Sequence, residues 1–193
     1  MGVVLAELGI PSEVWILRQC QEFDQIEPVV FYWKMADNPA ALPPGLETHK
    51  FSTPFTRPRT WWSRVTRRLG SKAAVLPDDE QRADIRRALL GANLSAVQCH
   101  FSWSGLPISA ALDGDLPVLW QVHGHDVTTL MQDLAYRKCV AEALPKVDFL
   151  AAVGTFQLEL LRPYGLTQRH GVIPCGAPLS VFAQRPVPIR EPG

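Results

Sequence analysis

The sequence predicts an α/β fold built on a doubly wound parallel sheet, and three observations carry that reading. Short apolar runs recur along the chain, helical patterns sit between most of them, and turn residues punctuate both. At 193 residues with 47% hydrophobic side chains, the chain can bury a substantial core, and its length favours one domain with extensions over two.

The apolar runs are Val3 to Leu8, Pro28 to Trp33, Ala96 to Phe101, Val118 to Val122, Phe149 to Val153 and Gly171 to Ile173, each reading as a strand buried on both faces. Ser12 is placed to cap a helix that runs to Phe23. Asp78 with Gln81 three positions on forms a capping-box pattern, opening a helix that Gly91 closes. Further helices are expected over Leu106 to Leu112, Leu134 to Leu144 and Phe156 to Tyr164, the last followed by Gly165. Strand, helix, strand in repetition gives parallel strands joined by right-handed crossovers.

Nineteen basic and nineteen acidic residues balance to a formal net charge of zero, so no global field draws the chain onto nucleic acid. Cys20, Cys99, Cys139 and Cys175 are scattered without a C-x-x-C pair, which argues against a zinc knuckle or redox dithiol and for reduced thiols in a cytoplasmic protein. The first residues, M-G-V-V-L-A-E-L-G-I-P, have no basic leader region, and Ala6 stands where a myristoylation pattern wants Ser or Thr. No apolar run reaches the length of a membrane span.

Met35 to Pro77 breaks the rhythm as a long, proline-rich connection, the kind of loop that is either functional or disordered. Its stretch from Lys50 to Lys72 carries Arg57, Arg59, Arg64, Arg67 and Arg68 and no acidic residue, interleaved with Phe51, Phe55, Trp61 and Trp62. A helix over Thr60 to Leu69 would gather Trp62, Val65 and Leu69 on one face with arginines beside or opposite, the pattern of an interfacial membrane helix. The same pattern fits a solvated basic face whose tryptophans pack on the core. The end of the chain, A-Q-R-P-V-P-I-R-E-P-G, reads as an interdomain linker over residues 183–193.

Pro117 to Asp126, P-V-L-W-Q-V-H-G-H-D, runs an apolar strand into a polar corner. Open α/β sheets bind ligands just past the carboxyl ends of their strands, which makes His123, Gly124, His125 and Asp126 candidates for a site. Gly124 would permit close backbone approach or an unusual φ, and the imidazoles can donate, accept or titrate near neutrality. A strand-to-helix turn in which Asp126 caps the next helix and the histidines are merely exposed accounts for the same residues.

Several motifs together resemble the N-terminal domain of family 4 retaining glycosyltransferases of GT-B architecture, particularly bacterial enzymes of exopolysaccharide or capsule synthesis. They are V-Q-C-H-F-S-W-S-G from Val97, V-H-G-H-D-V-T from Val122, D-F-L-A-A-V-G-T-F-Q-L-E-L-L from Asp148, V-I-P-C-G-A from Val172, and more weakly P-S-E-V-W from Pro11. The resemblance implies a Rossmann-like acceptor-side domain over residues 1–182, one half of a GT-B fold, with the basic loop 50–72 as a variable insertion. It implies that His123 is the catalytic cleft histidine, and that Gly9, Ser12, Glu13, Gly124 and Asp126 contact substrate. A helix N-terminus opening in the Gly9 to Glu13 loop would offer N–H groups to phosphate or sugar oxygens.

The implied partners are a saccharide or lipid-linked acceptor, a C-terminal donor-binding domain and an anionic membrane surface, with no nucleic acid. The donor is a nucleotide sugar held by that C-terminal half, whose Glu-rich motif is not found before Gly193, so this chain alone is expected to bind no cofactor and to be inactive. The expected location is cytoplasmic, peripheral on the inner face of the plasma membrane. Gln98, Val14, Gly154 and the pair Ala177 and Pro178 depart from the family pattern. His100 is expected to be a strand-end histidine satisfied locally, and Cys175 a packing residue without a partner that would activate it. Two rivals stay open: a metal-dependent hydrolase using His123, His125 and Asp126, for which no second ligand cluster is visible, and a non-catalytic acceptor- or membrane-binding module.

The basic loop generates a direct test. At about 1 kcal/mol per basic residue near an anionic leaflet, a few engaged arginines give reversible docking. Cosedimentation with anionic vesicles should therefore fall steeply as salt rises. Binding that survives replacement of Arg64, Arg67 and Arg68 by glutamate would exclude this segment as the contact.

Overall fold

The computed structural model describes residues 1–54, 75–166 and 169–176. Arg57, Arg59, Trp61, Trp62, Arg64, Arg67 and Arg68 of the basic loop, and the 183–193 linker, lie outside them.

Apolar side chains on both faces of a strand favour a sheet covered on two sides, and the first strand shows it. In β1 (Gly2–Leu8), Val3 and Leu5 join one apolar cluster while Val4, between them, joins another. The alternation repeats in β2 (Val29–Met35), where Val30 belongs to the first cluster and Phe31 and Trp33 to the second. The other strands are β3 (Glu47–Lys50), β4 (Val97–His100), β5 (Val118–Val122), β6 (Phe149–Ala152) and β7 (His170–Val172). They form a seven-stranded sheet in the order β3-β2-β1-β4-β5-β6-β7. Every neighbouring pair is parallel.

The fold is thus the expected doubly wound, Rossmann-like α/β sheet. Strand order reverses between β1 and β4, and the crevice outside the carboxyl ends at such a switch point is where this architecture binds ligands. Helix α1 (Val14–Gln21) covers one face through Ile16, Leu17 and Cys20. On the other, α2 (Asp79–Gly91), α3 (Ser102–Leu112) and α4 (Leu134–Ala143) bury Ile85, Leu89, Leu106, Ile108 and Val140. The short α5 (Thr155–Leu161) adds Leu161.

Local chemistry explains most boundaries. The capping box at α2 is complete: Gln81 N–H donates to Asp78 Oδ1 at 3.0 Å and Asp78 N–H to Gln81 Oε1 at 3.0 Å. Gly91 is the last helical residue, and the reversal falls two positions on, at Asn93 with φ 51°. Helix α2 also holds the incoming chain, since Thr53 N–H and Oγ1 both donate to Asp84 Oδ2 at 2.9 Å and Gln81 Nε2 donates to the Pro54 carbonyl at 2.7 Å.

Three expectations change. Ser12 is not a helix cap: Pro11–Glu13 forms a 3₁₀ turn, and α1 starts at Val14 without a side-chain cap. The long connection after β2 contains the edge strand β3, whose E-T-H-K is polar because only one flank pairs, with Val30 opposite Thr48 and Phe31 opposite His49. Helix α3 begins at Ser102, with only Phe101 between it and β4, although Gly105 and Pro107 in its early turns resemble breakers.

Gly105 is required there for packing. A Cβ at this position would sit 2.6 Å from Cε2 and 2.7 Å from Cδ1 of Trp120, which is fully buried. Gly105→Ala should therefore destabilise the protein by about 1–3 kcal/mol through overpacking. Gly91→Ala, where a Cβ meets nothing within 4 Å, should be neutral or stabilising. Thermal melts of the two variants check the contrast, and equal melting temperatures would contradict it.

Candidate functional site

The turn after β5 is organised by a buried carboxylate. Asp126 is 0% exposed. Its Oδ1 accepts from the N–H groups of His123 at 3.1 Å and Gly124 at 3.0 Å, and its Oδ2 from Ser102 N–H at 3.0 Å and Ser102 Oγ at 3.2 Å. Ser102 Oγ also lies 2.7 Å from the Tyr136 hydroxyl of α4. From α5, Gln157 Nε2 donates to the His123 carbonyl at 2.7 Å. The backbone of His123 is thereby fixed at both its N–H and its carbonyl.

This arrangement changes the expectation for two residues. The Asp126 carboxylate is turned inward onto protein donors, and it does not cap the following helix; it takes the first N–H of α3, earlier in the chain. Gly124 has no left-handed φ, and a Cβ on it would lie in open space, so its contribution is the N–H given to Asp126.

The His123 ring is half-buried among aromatic and polar neighbours. Its centroid is 4.3 Å from Phe101, 5.1 Å from Trp15 and 5.6 Å from His100. Its Nε2 is 3.4 Å from His100 Nδ1, and its Nδ1 is 3.6 Å from Cys175 Sγ. His100 is therefore the strand-end histidine expected, the last residue of β4, buried with His123 as its neighbour. Cys175, expected to pack without a partner, is exposed and adjoins the candidate histidine, while the other three cysteines are buried. Further down the same strands Gln98 Nε2 donates to Gln121 Oε1 at 2.8 Å, with both side chains buried.

Burial sets the charge of the cluster. It pushes His100 from 6.5 down to about 3, with repulsion from His123 adding to the effect. Burial also lowers His123, opposed by the Asp126 charge, and raises the Cys175 thiol. At neutral pH the group is a set of uncharged donors and acceptors.

The loop after β1 stands on the same side. Gly9 has φ 86°, and a Cβ there would come within 2.8 Å of Pro39 Cβ. Glu13 is half-buried and pushed up to about 7, first by burial and then by the Glu7 charge, while Ser12 is exposed. Trp15, at the start of α1, bridges this loop to His123 and also meets His100 edge-on at 5.6 Å. Trp15, Phe101, Trp103 and Gln157 had no assigned role in the sequence reading. Only the aromatics of P-S-E-V-W and H-F-S-W offered a signal for them.

Among the described residues, no three His, Cys, Asp or Glu side chains converge as a metal-binding group. His125 is exposed and meets Trp103 edge-on at 6.1 Å, whereas the Asp126 carboxylate is turned inward. The His123, His125 and Asp126 ligand set of the hydrolase reading is therefore not assembled. No described helix is long and apolar enough to cross a membrane.

No protein-family model matches the chain, and no curated protein matches it in sequence. Solved structures do. A chain of sucrose-phosphate synthase from Thermosynechococcus elongatus matches with a TM-score of 0.57 at 14% identity, over 95% of this chain and 92% of its own. A longer chain of the same protein gives 0.59 at 14% identity, over 93% of this chain and 49% of that one. An α,α-trehalose 6-phosphate synthase from Burkholderia multivorans gives 0.55 at 13% identity, over 95% and 51% respectively. The shared feature is a GT-B glycosyltransferase-like fold. The chain spans about half the length of the two longer proteins.

The lowered His100 value has a consequence for stability. The unfolded chain takes up a proton at this position near pH 6.5, whereas the native chain resists it until about 3. Stability from this group is present above pH 6.5 and is lost as pH falls toward 3, with a slope of at most about 1.4 kcal/mol per pH unit. Urea unfolding across this window should show a shallower pH dependence for His100→Gln than for the unmodified protein. Identical slopes would mean that His100 is not held neutral.

Proposed function

We propose that this chain is the N-terminal, acceptor-side domain of a family 4 retaining glycosyltransferase, of the type that builds bacterial exopolysaccharide or capsule. The observation that carries the reading is His123, fixed at the carboxyl end of β5 beside the β1–β4 switch point, on a turn locked by Asp126. In this reading residues 1–182 receive a saccharide or lipid-linked acceptor. Residues 183–193 lead to a donor-binding domain that holds a nucleotide sugar, and the basic loop rests on an anionic cytoplasmic membrane surface.

Glycosyl transfer breaks the bond between the anomeric carbon and the leaving diphosphate and makes one to an acceptor oxygen. Positive charge develops on the sugar ring and negative charge on the leaving oxygen. A neutral imidazole held by its backbone can give an N–H to a sugar or donor oxygen and fix the geometry without becoming a nucleophile. The contacts of His123 at 3.4 and 3.6 Å are at the long end for hydrogen bonds, so an oxygen at ordinary distance would displace them. In this reading the exposed Ser12 and the half-buried Glu13, whose carboxyl is pushed up to about 7 by burial, supply polar contacts from the loop after β1.

The test uses this chain joined to its donor-binding domain. His123→Ala should reduce turnover by roughly 10²-fold or more with the fold intact, while His125→Ala costs less. An unaffected rate with His123→Ala would overturn the assignment of that residue. Equal loss with both substitutions, accompanied by release of stoichiometric metal, would favour the hydrolase instead.

A further inference from the structure

Beside His123 the fold builds a feature that the transfer step does not use. Phe101 directly follows β4 with φ 69° and ψ 141°, a conformation that L side chains rarely adopt and that persists only where surrounding contacts enforce it. Those contacts are the Phe101 N–H to the Gln121 carbonyl at 2.8 Å and the N–H groups of Ser104 and Gly105 to the Phe101 carbonyl, both at 3.2 Å. So held, the Phe101 ring stacks on Trp103 with centroids 4.2 Å apart and planes 7° from parallel. The same ring meets His123 at 4.3 Å, and His125 stands edge-on to Trp103.

These rings keep surface open to solvent, unlike Trp120 beneath α3, which is fully buried. The adjoining groups are uncharged, since burial suppresses ionisation of both His100 and His123. Flat apolar faces beside the neutral imidazoles of His100 and His123 suit a ligand with an apolar face and hydroxyl edges.

We propose that Phe101, Trp103, His123 and His125 form a subsite for an uncharged pyranose ring of the acceptor, its C–H face on the aromatic surface and its hydroxyls on the imidazole nitrogens. The subsite rests on the acceptor-side reading given above, and its test separates the two. Saturation-transfer NMR of the purified chain with neutral di- and trisaccharides of glucose, galactose and mannose should show contact with ring protons.

Trp103→Leu keeps apolar bulk but removes the indole face, and should weaken binding about tenfold with an unchanged melting curve. Should that variant melt early, Trp103→Phe, which retains a ring, must bind more tightly than Trp103→Leu. Absence of neutral-saccharide binding, indifference to Trp103→Leu, or preference for glucose 1-phosphate or UDP over the neutral sugars overturns the subsite. Saccharide binding that needs Trp103, in a joined protein that transfers nothing, leaves the subsite standing and removes the transferase reading. Transfer that is indifferent to Trp103→Leu does the reverse.

Discussion

One carboxylate holds the candidate site together. Asp126 has no exposed surface, yet it answers four hydrogen bonds drawn from two separate strand ends. A buried carboxyl group in such a position is tolerable because every bond it accepts comes from a backbone N–H or hydroxyl already fixed in place. The consequence is structural coupling. The turn carrying His123, the start of α3 and, through Ser102 and Tyr136, helix α4 share one anchor. Loss of the anchor would loosen the turn carrying His123 and the first residue of α3 together.

The site is also defined by suppressed charge. Two imidazoles and a thiol meet at the carboxyl ends of the strands, and desolvation moves each toward its neutral form. A surface of this kind orients a ligand by hydrogen bonds and ring contacts and exerts little long-range pull. Diffusional steering of anionic substrates, if the complete protein needs it, has to come from other residues.

Much of the sheet was legible because its strands are apolar on both faces and bounded by turn residues. Val118 to Val122 agrees residue for residue, and the other five expected strands fall within two residues at each end. The edge strand β3 escaped because an edge needs no apolar period, and Glu47 to Lys50 has none. The start of α3 escaped because Gly105 and Pro107 resemble breakers, while the real reason for Gly105 is the close approach of Trp120. Within the site, His123 was found from its place at a strand end. The burial of Asp126 was not, since a carboxylate in a turn gives no sign of which backbone it will face. The pairing of Cys175 with His123 spans 52 residues and depends on β7 lying two strands from β5, which no local pattern encodes.

The position of that thiol gives the molecule a built-in chemical handle. Three of the four cysteines are sealed in the core, so a maleimide dye or spin label attaches at one place, 3.6 Å from the imidazole of interest. A reporter there sits at the rim between the carboxyl ends of β5 and β7 and senses whatever enters or covers that space. Binding of a ligand to this chain can thus be followed in solution without introducing a cysteine or removing one.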